Sequence, residues 1–198
     1  MFISLEGIDG SGKTTQAKLL AEELGDETVL VREPGGTTAS EAIRKLLIDP
    51  EVPLHWMPEV MLFCAARAQL VEDVIAPAIE AGRDVVCDRF SDSTVAYQGA
   101  GRERDMRTVR LLCEGATENL WPDLTLLLWV DPERAFKRAK GRDRFETEGL
   151  AFQQRVAAGY EAIAQAEPER IRVVDATGSI DEVHGRVMSV VEEARARA

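Results

Sequence analysis

An apolar run, Phe2-Ile3-Ser4-Leu5, leads almost directly into Gly7-Ile8-Asp9-Gly10-Ser11-Gly12-Lys13-Thr14. The octapeptide fills every fixed position of the pattern G-x-x-x-x-G-K-[ST]. Behind it, Ala17, Leu20, Ala21 and Leu24 recur at helical spacing. Strand, glycine-rich turn and amphipathic helix in that order commit the start of the chain to a βα unit. The glycines let the backbone curl until several N–H groups point at one anion. The helix that follows turns its unpaired N–H groups and its positive dipole end toward the same place. Lys13 adds a point charge that reaches β- and γ-phosphates, and the Thr14 hydroxyl is a ligand for Mg²⁺. Gly7 to Thr14, together with the adjoining Thr15, are therefore the expected nucleoside-triphosphate-binding residues.

The alternation continues along the chain. Segments 2–5, 28–32, 84–88, 124–130 and 171–174 read as short buried strands, and helical periodicity fills the intervals. The last helix is plain, with Val183, Val187, Val190 and Val191 on one stripe. Continuous apolar strands joined by helices imply a parallel sheet covered on both faces, with right-handed crossovers. Three polar segments, 33–55, 91–104 and 141–149, are the expected functional insertions, because such sheets carry their sites beyond the carboxyl ends of the strands. Pro77 falls inside an apparent helix and should kink or interrupt it.

At 198 residues, all of it suits one domain with a sizeable core. No apolar run approaches the length of a membrane span, and the first strand begins at residue 2, which leaves no signal peptide. Cys64, Cys87 and Cys113 are scattered, without metal-ligand spacing, as expected of reduced core thiols in a cytoplasmic protein. A net charge of −11 argues against general nucleic-acid binding. An acidic chain that grips phosphate must gather its cations locally, and arginines do cluster at Arg89, from Arg102 to Arg110 and from Arg134 to Arg144.

The loop alone names no substrate. After the second strand stands Arg32-Glu33-Pro34-Gly35-Gly36-Thr37. After the third stands Asp88-Arg89-Phe90-Ser91-Asp92-Ser93-Thr94-Val95-Ala96-Tyr97-Gln98-Gly99. After the fourth stands Asp131-Pro132-Glu133, leading to Arg138 and Gly141-Arg142-Asp143-Arg144-Phe145-Glu146. In order and separation these resemble the motifs of the thymidylate kinase (dTMP kinase) family, over essentially the whole chain. The D-R-[YF]-x-x-S-x-x-A-Y-Q element is far more specific than the phosphate loop. The resemblance implies the P-loop NTPase fold, an α/β architecture with a five-stranded parallel sheet in the order 2-3-1-4-5 and a small lid near 141–149. It also implies transfer of the γ-phosphoryl group of ATP to dTMP with Mg²⁺, and a homodimer. Such a transfer needs positioning and charge neutralisation rather than a protein nucleophile.

The implied roles follow the motifs. Arg89 binds the acceptor phosphate, a task suited to a forked guanidinium. Arg44, in the helix after the Gly-Gly turn, is a second candidate. The alternative for Arg89 is a structural ion pair. Asp88 ends an apolar strand and resembles the acid that steers Mg²⁺ in P-loop enzymes. Asp131 ends another such strand, but Pro132 and Glu133 behind it point to helix capping. Phe63 and Arg67 share a helical face. By resemblance the ring stacks on thymine and the guanidinium donates to O4, where cytosine would present a donor. Core packing is the alternative for Phe63. Thr94, Tyr97 and Gln98, also expected on one helical face, serve the N3/O2 edge and the sugar. Asp9 accepts the sugar 3′-OH, unless it merely stabilises its turn. Arg142 or Arg144 of the lid neutralises the transferring phosphoryl, since Gly10 and Ser11 stand where one branch of the family carries a loop arginine. Arg138 stacks on adenine, with the loop near Asp175 to Thr177 on the other face. Phe90 stands where tyrosine is more usual. The stripe of Val60, Cys64 and Val71 is either part of the dimer face or core.

Two other readings compete. Another nucleoside monophosphate or deoxynucleoside kinase conflicts with the Phe63–Arg67 pair. A guanine-nucleotide switch needs an N-K-x-D element, and the only asparagine, Asn119, precedes Leu120.

Overall fold

The computed structural model of the chain describes residues 1–138, 144, 145 and 148–197. Five parallel strands, β1 (Phe2–Glu6), β2 (Val29–Arg32), β3 (Val85–Asp88), β4 (Leu124–Trp129) and β5 (Ile171–Asp175), form one sheet in the order β2-β3-β1-β4-β5. This is the expected order, and each strand lies within a residue or two of its expected span. β1 and β3 are buried along their whole length, as continuous apolar runs at the centre of a covered sheet must be.

Nine helices are seen among the described residues: α1 (Lys13–Leu24), α2 (Thr38–Ile48), α3 (Trp56–Leu70), α4 (Ala76–Glu80), α5 (Ser91–Thr94), α6 (Met106–Ala116), α7 (Pro132–Arg138), α8 (Leu150–Ala166) and α9 (Ile180–Arg195). Their starts are chemically marked. The Thr37 hydroxyl accepts from Ser40 N at 3.1 Å at the head of α2. Asp131 accepts from Arg134 N at 3.0 Å with Pro132 opening α7, which is the capping role its neighbours implied. Ser179 and Glu182 form a reciprocal capping box on α9.

The two sheet faces differ. Ile3, Leu5 and Val86 are fully buried in an apolar cluster with Ala17, Leu20, Val187 and Val191, so α1 and α9 cover that side. On the other side Phe2, Val85 and Cys87 pack with Leu70, Val71, Ile75 and Phe90. That face also carries a buried polar stripe. Ser4 Oγ and Thr125 Oγ1 lie 2.9 Å apart, Asp92 holds Thr125 and Arg170, and Glu6 closes the row.

Two stretches depart from α-helix. Pro77 interrupts the α-helical pattern, as expected, within a helical path that runs on from α3 to α4. The chain passes through a π-helical segment, Val71–Ile75, directly before Pro77, and the widened turn accommodates the residue without an N–H at the second position of α4. Residues after Thr94 also widen into π-turns, Val95–Gly101, with Arg102 N donating to Tyr97 O at 3.1 Å and Arg104 N to Gly99 O at 2.8 Å. Thr94, Tyr97 and Gln98 thus share no regular α-helical face, although all three still reach one cavity. Val60, Cys64 and Val71 belong to the core, at 0%, 5% and 8% exposure. The apolar side chains that α3 leaves exposed are Met57 and Met61 instead. Among the described residues no helix is long and apolar enough to cross a membrane.

Candidate active site

A cavity of about 510 Å³ opens beyond the carboxyl ends of β1, β2 and β3. One end is bounded by Asp9, Gly10, Gly12, Lys13, Thr14 and Thr15, and the other by Phe63, Arg67, Thr94, Tyr97, Gln98 and Phe145. Arg44, Asp88 and Arg89 also line it, and Arg89 bonds to both Asp9 and Tyr97.

The loop at the first end is shaped by close approach. Gly7 has φ +139°, and a Cβ there would sit 2.6 Å from Leu128 O. Gly10 has φ +80°, and a Cβ would sit 2.4 Å from Ala135 O of α7. Only glycine tolerates both the torsion and the contact. Ile8 and Ser11 are buried beneath the loop. Lys13 Nζ donates to Ile8 O at 2.7 Å and Ser11 Oγ at 3.3 Å, curling back over the turn. Burial, seconded by the nearby Arg89, pulls the Lys13 ammonium down to a pKa of about 8, against the pull of Asp9, Asp88 and Glu6. Thr14 Oγ1 donates to Asp88 Oδ2 at 2.5 Å, so the two expected metal ligands meet.

Arg89 directly follows β3 with φ +71°, an uncommon backbone state for a residue with a side chain and one that concentrates at functional sites. Its guanidinium donates to Gly7 O (3.1 Å), Ser93 Oγ (3.2 Å) and the Tyr97 hydroxyl (3.2 Å), and pairs with Asp9. Asp9 also accepts from Gln153 Nε2 at 3.1 Å. Burial works against the Asp9 charge, but Arg89 and Lys13 outweigh it and hold the carboxyl below its ordinary value. Arg44 Nη1 donates to Pro34 O at 2.8 Å from the cavity wall.

At the far end Arg67 is 1% exposed and committed to several acceptors. Nε and Nη2 meet Glu33 Oε2 at 2.8 and 2.7 Å, and Nη2 also reaches Thr94 Oγ1 (2.7 Å) and Phe90 O (3.2 Å). Nη1 donates to Cys113 Sγ at 3.4 Å. Burial opposes the Arg67 charge, yet Glu33 more than restores it. The Glu33 carboxyl in turn is pushed upward by burial, against Arg67. Phe63 is half-buried on the cavity wall, its ring 5.8 Å from that of Phe145.

The two lid arginines differ. Arg142 lies outside the described residues. Arg144 Nε donates to Leu47 O at 3.1 Å, and its Nη2 lies 2.8 Å from Glu59 Oε2. These contacts tie its guanidinium to α2 and α3. Arg138 is exposed at the end of α7, one turn past the carbonyl that packs on Gly10. The start of α9, just beyond the loop after β5, is tied to α1 through Gln16, whose Nε2 donates to Ile180 O at 3.0 Å.

Five residues of the site went unread in the sequence. Glu6, fully buried, accepts from Phe90 N (2.6 Å), Ser93 Oγ (2.5 Å) and Tyr160 OH (2.8 Å). Burial, then Asp92, raises its pKa to about 7. Glu33 and Glu59 neutralise the acceptor-end arginines. Gln153 and Tyr160 sit seven apart, two turns along one face of α8, and that spacing was the available signal. An acid ending an apolar strand beside the loop was the signal for Glu6.

A parallel sheet in this order, with an amide-lined loop at one end of a crevice and a separate side-chain-lined chamber at the other, is the architecture of the P-loop nucleotide kinases. The family model for thymidylate kinase matches residues 5–187. The chain belongs to the thymidylate kinase family. It is 51% identical over 197 residues to a thymidylate kinase of Synechococcus sp. strain JA-2-3B'a(2-13), covering 97% of this chain and 94% of that one. It is 42% identical over 199 residues to that of Deinococcus radiodurans, covering 98% and 97%. The crystal structure of the Ehrlichia chaffeensis thymidylate kinase superposes with a TM-score of 0.81 at 35% identity, over 96% of this chain and 98% of that one.

Proposed function

We propose that this chain, acting as one domain, transfers the γ-phosphoryl group of ATP to dTMP and releases ADP and dTDP. The observation that carries the reading is the single cavity shared by Lys13 and Thr14 at one end and by Phe63 and Arg67 at the other, with Arg89 between them. The donor phosphates rest on Gly7 to Thr15, with Lys13 neutralising charge that develops on the moving group. Arg89 and Arg44 hold the acceptor phosphate and Asp9 takes the sugar 3′-OH. Phe63 stacks on thymine, Arg67 donates to O4, and Thr94, Tyr97 and Gln98 complete the pocket. Arg138 lies against adenine.

Thr14 and Asp88 suit Mg²⁺. An alcohol and a carboxylate oxygen 2.5 Å apart at the phosphate end match an ion that takes few protein ligands and keeps phosphate oxygens and waters. When bound, the ion neutralises β- and γ-phosphate oxygens. Arg142 is the stronger lid candidate for the transferring group, because Arg144 is engaged by Glu59 and Leu47. Three free, buried cysteines support a reducing cytoplasm. The exposed Met57 and Met61 on α3 support a homodimer.

An ADP-release assay with dTMP, dUMP, dCMP and AMP tests the reading. The fastest turnover should be with dTMP. Faster turnover with AMP, or ATP hydrolysis indifferent to any acceptor, would overturn it.

A further inference from the structure

We propose that Glu59 is a positioning residue for base selection, setting which end of the Gln98 amide faces the acceptor chamber. The inference rests on the reading above, in which Gln98 meets the N3/O2 edge of the pyrimidine.

Glu59 lies in the first turn of α3 with its side chain 2% exposed. A carboxylate so buried persists only with close partners. Arg102 supplies a fork, Nε to Oε1 and Nη2 to Oε2, both at 3.3 Å. Arg144 Nη2 stands 2.8 Å from Oε2. Among the described residues a further contact is Gln98 Nε2 donating to Oε1 at 3.0 Å. Gln98 is 1% exposed and lines the cavity. Its main chain is fixed from the same turn of α3, since Trp56 Nε1 donates to Gln98 O at 2.8 Å.

The two ends of a glutamine amide have nearly the same shape, so only bonding decides between them. A carboxylate flanked by two guanidinium groups accepts and never donates. The NH₂ end of Gln98 must therefore face Glu59, which turns Oε1 the other way, toward the chamber. An acceptor is then what the base meets. Thymine offers N3–H to it, whereas cytosine offers a bare N3, leaving two acceptors opposed. Arg67 discriminates at position 4 of the ring, and Glu59 acts through Gln98 at position 3. The same carboxylate is tied to the lid segment twice, directly through Arg144 and through Arg102, which also pairs with Glu148.

Glu59→Gln tests this sharply. The two arginines would hold the carbonyl of the new amide and turn its NH₂ toward Gln98. Gln98 would then flip to accept from it and would present its own NH₂ to the chamber. The dTMP:dCMP ratio of kcat/KM should fall about tenfold. The change should sit in the KM for the nucleotide, with dCMP gaining in absolute terms and the KM for ATP unchanged. A merely structural loss produces no gain with dCMP. Gln98→Ala is measured alongside. If Gln98→Ala loses selection but Glu59→Gln keeps it, Glu59 has no such role and the acceptor reading stands. If Gln98→Ala also keeps full selection, the acceptor reading of Gln98 falls and the proposal with it. Should Glu59→Gln fail to fold, the wild-type Gln98 side-chain amide decides by NMR. Slow hydrogen exchange supports the Glu59 bond, and exchange as fast as in an exposed glutamine overturns it.

Discussion

At the end of the crevice proposed for phosphate the lining comes almost wholly from one continuous stretch, Asp9–Thr15, with Asp88 joined to it through Thr14. At the base end they come from α3, the π-turns after α5 and the lid segment, and they are held by acids from elsewhere. The loop's internal bonds are local, such as Lys13 Nζ to Ile8 O at 2.7 Å. The base end depends on pairs distant in sequence, such as Arg67 with Glu33 and Arg102 with Glu59. On the proposed function, the difference follows from what each end would bind. Phosphate is gripped by backbone N–H groups, and a short motif can arrange those. A base edge is read by side chains in a dry chamber, and a buried guanidinium or amide stays put only if its other bonds are satisfied. A second tier of buried carboxylates is the result.

Removing the charge at the local end should have the largest effect. Lys13→Met is expected to lower kcat by about 10²–10³-fold or more, the range for deleting one preorganised group that stabilises transition-state charge. Thermal unfolding should be barely affected, because the ammonium is buried and its charge already disfavoured there. Near-normal turnover would show that the loop's amides suffice and would dissolve the contrast between the two ends.

Glu6 joins the ends, bonded to Phe90 N, Ser93 and Tyr160 beneath Arg89. Its folded pKa of about 7 exceeds the ordinary 4.5. Between those values the folded state holds a proton that the unfolded state has lost, so stability falls as pH rises through the window. Glu6→Gln cannot ionise. The wild type should therefore lose up to about 3 kcal/mol relative to Glu6→Gln between pH 4.5 and pH 7, and little more above it. Urea denaturation across that range measures the difference, and a gap independent of pH would remove Glu6 from this role.

Much of this was legible in the sequence, for physical reasons. Apolar runs located all five strands, but only the central ones are buried as expected: the edge strands β2 and β5 keep exposed residues such as Leu30 and Val173, because an edge is covered less completely than the middle of the sheet. The loop, Arg89 and Asp88 were legible because they follow strand ends in short motifs. Thr94, Tyr97 and Gln98 were found, but their regular helical face was not, because π-turns change the angular spacing that periodicity assumes. Val60 and Cys64 could not be told from an interface stripe, since burial in a core and burial in a dimer leave the same pattern. Glu33, Glu59 and Tyr160 stayed hidden because their partners lie 34, 43 and 154 residues away.

The smallest expected effect separates the two tiers at the base end. Arg67→Lys keeps a cation for Glu33, so the buried carboxylate retains its partner and the fold should survive. Lysine lacks the planar fork that lets Arg67 reach Glu33, Thr94, Phe90 O and Cys113 at once. Its ammonium should settle on Glu33, leaving Thr94 Oγ1 and the O4 position without their donor. Selection for dTMP over dCMP should fall about tenfold, the usual loss for one hydrogen bond to a neutral acceptor in a dry site. The KM for ATP should not move, because the phosphate end shares none of these bonds. A loss of stability with selection intact would mean that Arg67 serves Glu33 and the core alone. The base would then be read by Phe63 and Gln98, and the long-range pairs at that end would be scaffolding rather than part of recognition.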